Sequence, residues 1–158
     1  MILVSACLVG YDVKYDGSNN FSDIISKWFD EKKAIPVCPE VLGGLSTPRD
    51  PAEIVGGDGD DVLEGKAKIM TKFGIDVTEA FIKGAQRTLE VAKNANATIV
   101  ILKERSPSCG GTKIYSGEFN SNKKVGQGVT AALLRRNGIK VFSEENFIEL
   151  IRELQTEN

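Results

Sequence analysis

Short runs of consecutive apolar residues alternate along this chain with longer stretches in which apolar positions recur every three or four residues. The first pattern predicts strands buried on both faces, and the second predicts amphipathic helices. Ile2-Leu3-Val4-Ser5-Ala6 reads as a strand, followed by a Gly-, Asp- and Asn-rich loop from Gly10 to Asn20. Phe21, Ile24, Ile25, Trp28 and Phe29 fall at helical spacing, predicting a helix that ends near Glu31-Lys32-Lys33. Ile35-Pro36-Val37 makes a second strand. From Cys38 to Pro51, prolines and the Gly43-Gly44 pair exclude a long regular element and predict a shaped loop. Ala52 to Val55 and Ala67 to Thr71 then predict an antiparallel hairpin insertion, about 52–72, around the turn-forming Gly56-Gly57-Asp58-Gly59.

Asp76 with Glu79 three residues on reads as a helix start, and Val77, Phe81, Ala85, Leu89 and Ala92 form the stripe of a long helix reaching about Asn94. Thr98-Ile99-Val100-Ile101-Leu102 is the strongest strand signal, β-branched and apolar on both faces, as in the centre of a covered parallel sheet. A polar, Gly-containing stretch reaches Gln127. Val129, Ala132 and Leu133 begin a helix that stops at Asn137-Gly138, Lys140-Val141-Phe142 is a further strand, and Ser143 is read as the cap of a last helix carrying Phe147, Leu150, Ile151 and Leu154. Strands alternating with helices predict a three-layer, Rossmann-like α/β domain with a short parallel sheet and a β-hairpin insertion. A length of 158 residues suits one such domain, spanning 1–158.

Composition narrows the chemistry. Twenty Lys and Arg against twenty-two Asp and Glu give a net charge of −2, which removes the overall electrostatic case for a nucleic-acid or membrane-surface partner. Histidine is absent, which eliminates Ser-His-Asp and Cys-His nucleophiles, His-ligated zinc and a histidine base. The first apolar run lacks a basic flank and is too short for a signal peptide or a span, so a cytoplasmic location is expected. Neither a Gly-x-Gly-x-x-Gly turn nor a phosphate-binding Gly-Lys-Thr loop follows the first strand, leaving a dinucleotide cofactor without support.

Three cysteines without paired spacing predict free or metal-bound thiols rather than a disulfide framework. Taken singly, each could be a small buried hydrophobe. Cys7, Cys38 and Cys109, however, each lie past the carboxyl end of a predicted strand, the edge where ligands bind in an open parallel sheet, so residues 31 and 71 positions apart can converge. Pro39 and the Gly110-Gly111 pair beside them bend the backbone and allow a bulky ligand close. Structural zinc favours close Cys-x-x-Cys pairs, whereas widely separated thiolates suit an iron-sulfur cluster. Three ligands on a four-iron cubane leave one iron open as a Lewis acid, and a soft metal site favours a sulfur-bearing substrate.

Glu40, two residues after Cys38, could act in the same crevice as a general acid or base, or could cap the helical turn that follows. Ser106 and Ser108 could donate to a substrate or relay a proton, or simply shape the turn around Pro107. Seven basic residues against two acidic ones from Lys103 to Arg136, and four against eleven from Asp16 to Glu64, could place a positive wall near Cys109, although solvated helix faces produce similar asymmetries.

Four segments carry a resemblance: Ile2 to Gly10 with Tyr15-Asp16-Gly17; Pro36 to Leu45 with Thr47-Pro48-Arg49; Lys103-Glu104-Arg105-Ser106-Pro107-Ser108-Cys109-Gly110; and Gly128 to Leu134 with Val141 to Asn146. Together they resemble a bacterial family long catalogued as a domain of unknown function, whose characterised branch is the thiouracil desulfidases. The resemblance covers nearly the whole chain and its motifs are highly specific as a set. It implies a four-iron four-sulfur (4Fe-4S) cluster held by Cys7, Cys38 and Cys109 with one open iron, and removal of sulfur from a small thiolated nucleobase with release of sulfide. It also implies an acidic residue and a serine in catalysis, matching Glu40 and either Ser106 or Ser108. The rival expectations are a non-enzymatic metal- or thiol-based binding or sensor module, and a ligand-binding domain whose cysteines are structural; metal content separates them.

Overall fold

A computed structural model describes residues 2–32 and 34–156. The chain opens with β1 (Ile2–Ser5), passes through a 3-10 turn (Ala6–Val9) into α1 (Asp23–Lys32), and returns as β2 (Ile35–Val37). A single helical turn, α2 (Pro39–Leu42), leads to β3 (Ala52–Val55), α3 (Gly59–Leu63) and β4 (Lys68–Thr71). The long helix α4 (Thr78–Asn94) feeds β5 (Ile99–Leu102); β6 (Lys113–Tyr115), β7 (Lys123–Val125), α5 (Val129–Arg136), β8 (Lys140–Ser143) and α6 (Phe147–Thr156) complete the order.

Four strands form one parallel sheet in the order β2-β1-β5-β8. Side chains alternate across it, as the pleat requires. Leu3, Val100, Leu102 and Val141 face Ala92 of α4 and Ala131 and Leu134 of α5. Ile2, Val4, Ile101 and Phe142 face Ile25 of α1 and Phe147 and Leu150 of α6. The three predicted layers are therefore present. The connections leaving β1 and β5 run to opposite sides of the sheet, and a crevice opens at their carboxyl ends. Among the described residues no helix is long and apolar enough to cross a membrane.

Several local expectations change in three dimensions. Phe21 precedes α1, and both it and Ile24 stand exposed, leaving Ile25 as a buried anchor of that helix. The expected apolar side chains of Trp28, Phe29, Ile151 and Leu154 lie outside the described residues, as does Lys33. β3 and β4 pair antiparallel from Ala52 against Thr71 to Val55 against Lys68, but α3 rather than a tight turn connects them. The cause is a capping box: Asp58 accepts the N–H groups of Asp60 and Asp61, while Asp61 accepts that of Asp58. Ser143 ends β8 instead of capping α6, its hydroxyl accepting the N–H of Glu145.

The stretch before Gln127 holds an unforeseen antiparallel pair, β6 with β7. Its tip is latched to the insertion by Glu53, whose Oε1 accepts the N–H groups of Gly117 at 2.9 Å and Phe119 at 3.3 Å. Ile54, Ile69, Phe81, Ile114 and Val129 form a third apolar cluster that joins both small sheets to α4 and α5.

Candidate active site at the sheet switch point

The cysteines enter the crevice on three differently built loops. Cys7 sits in the 3-10 turn that continues β1, buried, with Asn20 Nδ2 donating to its Sγ at 3.5 Å. Cys38 is the N-cap of α2, its thiol 3.9 Å from the carbonyl oxygen of Val13. Pro39 at the first helical position starts that turn, and α2 lies directly on α4: a Cβ on Gly84 would fall 2.0 Å from the Pro39 carbonyl oxygen, and one on Gly43 only 2.1 Å from that of Ala80. Glycine at both positions is what lets Cys38 and Glu40 sit where they do.

Cys109 lies in the loop after β5, which is organised by two side chains from its own start. Glu104, buried, accepts the N–H groups of Gly111, Thr112 and Lys113 on a single oxygen at 2.7, 2.8 and 3.0 Å. Burial pushes the carboxyl of Glu104 up, but the donors from Thr112, Lys113 and Gly111 together outweigh it and hold it below the ordinary carboxylate value. Ser106 Oγ accepts the N–H groups of Ser108 at 3.0 Å and Cys109 at 2.7 Å. The first turn of α5 closes the loop from behind, with the N–H of Val129 on the Pro107 carbonyl and that of Thr130 on the Ser108 carbonyl.

All three cysteines line one cavity of about 870 Å³, together with Glu40, Arg49, Lys103 and Ser106. The two candidate serines separate here. Ser106 lines the cavity, and because two backbone N–H groups occupy its acceptor positions, its hydroxyl hydrogen remains to be donated. Ser108 is fully buried behind Cys109, its Oγ 2.7 Å from Thr130 Oγ1 and 3.8 Å from the Cys109 sulfur. Tyr15, Tyr115 and Phe119 add an aromatic wall, the last two carried by the β6–β7 hairpin that the sequence pattern did not disclose.

Glu40 does not cap α2. Its Oε2 instead meets Arg49 Nε and Nη2, each at 2.6 Å, in an ion pair largely shielded from water. Of the basic residues thought to form a positive wall, Lys103 and Arg105 reach the cavity, but Lys103 Nζ pairs with Glu144 Oε2 at 2.7 Å and Arg105 pairs with Glu145. Arg135 serves the loop by donating to the Gly111 carbonyl, and Arg136 pairs with Asp60 of α3 and with Glu64 just past its end.

Burial pushes all three thiols up, the effect on Cys109 being large. The sulfurs also act on one another: Cys38 raises Cys7, and Glu40 followed by Cys38 raises Cys109. Burial and mutual repulsion both disfavour bare thiolates here, whereas coordination to a metal would deprotonate a thiol outright. Among the described residues no three Cys, Asp or Glu side chains are gathered closely enough for a single metal ion. Wide spacing, sulfur-only donors and a roomy cavity fit a cluster larger than one ion.

The fold and its crevice define an α/β protein with three cysteines lining one cavity at the sheet switch point. This chain belongs to the 2-thiouracil desulfurase family, whose profile matches residues 2–146. It is 56% identical over 151 residues to the uncharacterized protein YbbK of Bacillus subtilis (strain 168), covering 96% of this chain and 100% of the relative. Its structure is similar to that of the 4Fe-4S-dependent thiouracil desulfidase TudS, with a TM-score of 0.86 and 42% identity, over 98% of this chain and 97% of the other.

Asn20 and Glu53 escaped the sequence reading because isolated polar residues carry no periodic signal, whereas Glu104 stood in the Lys103 to Gly110 segment without a role of its own. Arg49 stood in a recognisable Thr-Pro-Arg segment, which pointed to the residue but not to its partner.

Proposed function

We propose that this chain is a cytoplasmic 4Fe-4S-dependent desulfidase, a single α/β domain that exchanges the sulfur of a small thiolated nucleobase or related thiocarbonyl compound for oxygen and releases sulfide. Cys7, Cys38 and Cys109 are the cluster ligands in this reading. When bound, the cluster supplies an iron without a protein ligand, a Lewis-acid position for the thiocarbonyl sulfur. Water provides the incoming oxygen and its two protons leave with the sulfur, so C=S becomes C=O without an outside electron donor.

Glu40 accepts a proton from the incoming water and returns it to the departing sulfur. Ser106, with its acceptor positions already filled, donates its hydroxyl hydrogen to the substrate as the carbon becomes tetrahedral. The aromatic side chains of Tyr15, Tyr115 and Phe119 offer flat apolar surface to a planar ring. The observation that carries the reading is the meeting of three sulfurs, the Glu40 carboxylate and the Ser106 hydroxyl on a single cavity, in a chain of the 2-thiouracil desulfurase family.

The test is metal and sulfide analysis on protein reconstituted without oxygen, followed by a sulfide-release assay with 2-thiouracil and 4-thiouracil. Near four irons and four sulfides per chain, with sulfide released in step with loss of the thiocarbonyl absorption, is the expected result. Zinc in place of iron, or a full cluster that releases no sulfide from any thiocarbonyl offered, would overturn the reading.

A further inference from the structure

The guanidinium of Arg49 is nearly enclosed, with only 9% of its side chain exposed, and each of its nitrogens has an acceptor. Nε and Nη2 both meet Glu40 Oε2; Nη2 also donates to the Val13 carbonyl at 2.8 Å, and Nη1 reaches the Ser46 carbonyl at 3.3 Å and Thr47 Oγ1 at 3.1 Å. A surface ion pair fixes little, because both long side chains remain free to part. This one differs: the planar fork is held from three other directions, so its orientation is set before it meets the carboxylate.

Glu40 is correspondingly asymmetric. Among the described residues Oε2 takes both Arg49 contacts, while Oε1 receives no hydrogen bond. The same carboxylate lines the cavity that Cys38 and Cys109 also line. Arg49 also joins that site to the Val13 carbonyl, which lies 3.9 Å from the Cys38 thiol.

We infer that Arg49 is the positioning residue of the reaction: by clamping Oε2 it holds Glu40 in one rotamer with Oε1 left for the proton that moves during desulfuration. The inference rests on the assignment of Glu40 as the proton carrier. Arg49 acts through Glu40 and not on the substrate. A lysine in its place keeps the charge but loses the two-pronged grip, since an ammonium is a point charge with no planar fork.

The experiment is a double-mutant cycle on anaerobically reconstituted protein, using Arg49→Lys, Glu40→Gln and the double variant, with 4-thiouracil as substrate. Iron content, visible absorption, melting temperature, kcat and KM are read for each. Arg49→Lys should keep its iron and spectrum and lower kcat about tenfold, with KM within about threefold. In the Glu40→Gln background the same substitution should change kcat less than about twofold, because its route to the reaction is already gone. Should Glu40→Gln fall below detection, the split between kcat and KM in Arg49→Lys alone decides. Lost iron, an effect confined to KM, an unchanged kcat, or equal losses in both backgrounds would each overturn the inference while leaving Glu40 in its role. Normal turnover of Glu40→Gln would remove that role, and the inference with it.

Discussion

Ser106 and Cys109 are joined by a hydrogen bond of 2.7 Å in which the backbone N–H of the cysteine donates to the serine hydroxyl oxygen. One side chain thus shapes the loop that holds a sulfur and also lines the cavity where the substrate is expected. Ser106→Ala should leave the N–H groups of Ser108 and Cys109 short of an acceptor, costing about 1–3 kcal/mol of stability by chemical denaturation. Turnover should fall further than that of Ser108→Ala, whose hydroxyl is sealed behind Cys109. Steady-state sulfide release on the two variants at equal iron content checks the ordering.

The three cysteines should behave as a unit. Under the proposed ligation, Cys7→Ser, Cys38→Ser and Cys109→Ser should each abolish both the visible iron-sulfur absorption and sulfide release, because a cluster that loses one of three ligands has no complete hold. Mild, independent effects of the three changes, with iron retained, would instead mark the cysteines as packing residues.

Glu104 gathers three N–H donors on one oxygen and its carboxyl is held below the ordinary value of 4.5, so it stabilises the fold in the ionised form. The sign follows from linkage: a depressed folded-state pKa contributes stability that is full above about pH 4.5 and is lost as pH falls through the lowered value. Glu104→Gln should therefore cost about 1–3 kcal/mol at pH 7. The gap between wild type and variant should narrow in urea melts as the pH drops below 4.5.

Gly84 tests how tightly the Cys38 turn depends on the helix beneath it. Gly84→Ala adds a methyl group 2.0 Å from the Pro39 carbonyl oxygen, a backbone atom that cannot swing aside, so α2 must move away from α4. Despite alanine's better helix propensity, the variant should lose about 1–3 kcal/mol and reconstitute with less iron. A thermal melt paired with iron analysis measures both.

What the sequence by itself determined were the features written in local repetition. Ile2 to Ser5 and Ile99 to Leu102 are apolar on both faces because helices cover both sides of the sheet, and the stripe of Phe81, Ala85 and Ala92 has the helical period of one buried face. The placement of Cys7, Cys38 and Cys109 just past three strands was legible for the same reason, since a parallel sheet brings all its carboxyl ends to one edge. The β6–β7 hairpin was not: Lys113-Ile114-Tyr115 and Lys123-Lys124-Val125 are too short and polar to show alternation, and Glu53, more than sixty residues away, holds their tip. The partners of Glu40 and Lys103, and the choice between Ser106 and Ser108, were likewise decided only by tertiary structure. A polar side chain finds its partner through the crossings of distant segments, and neither the spacing nor the composition of either segment records where those crossings fall.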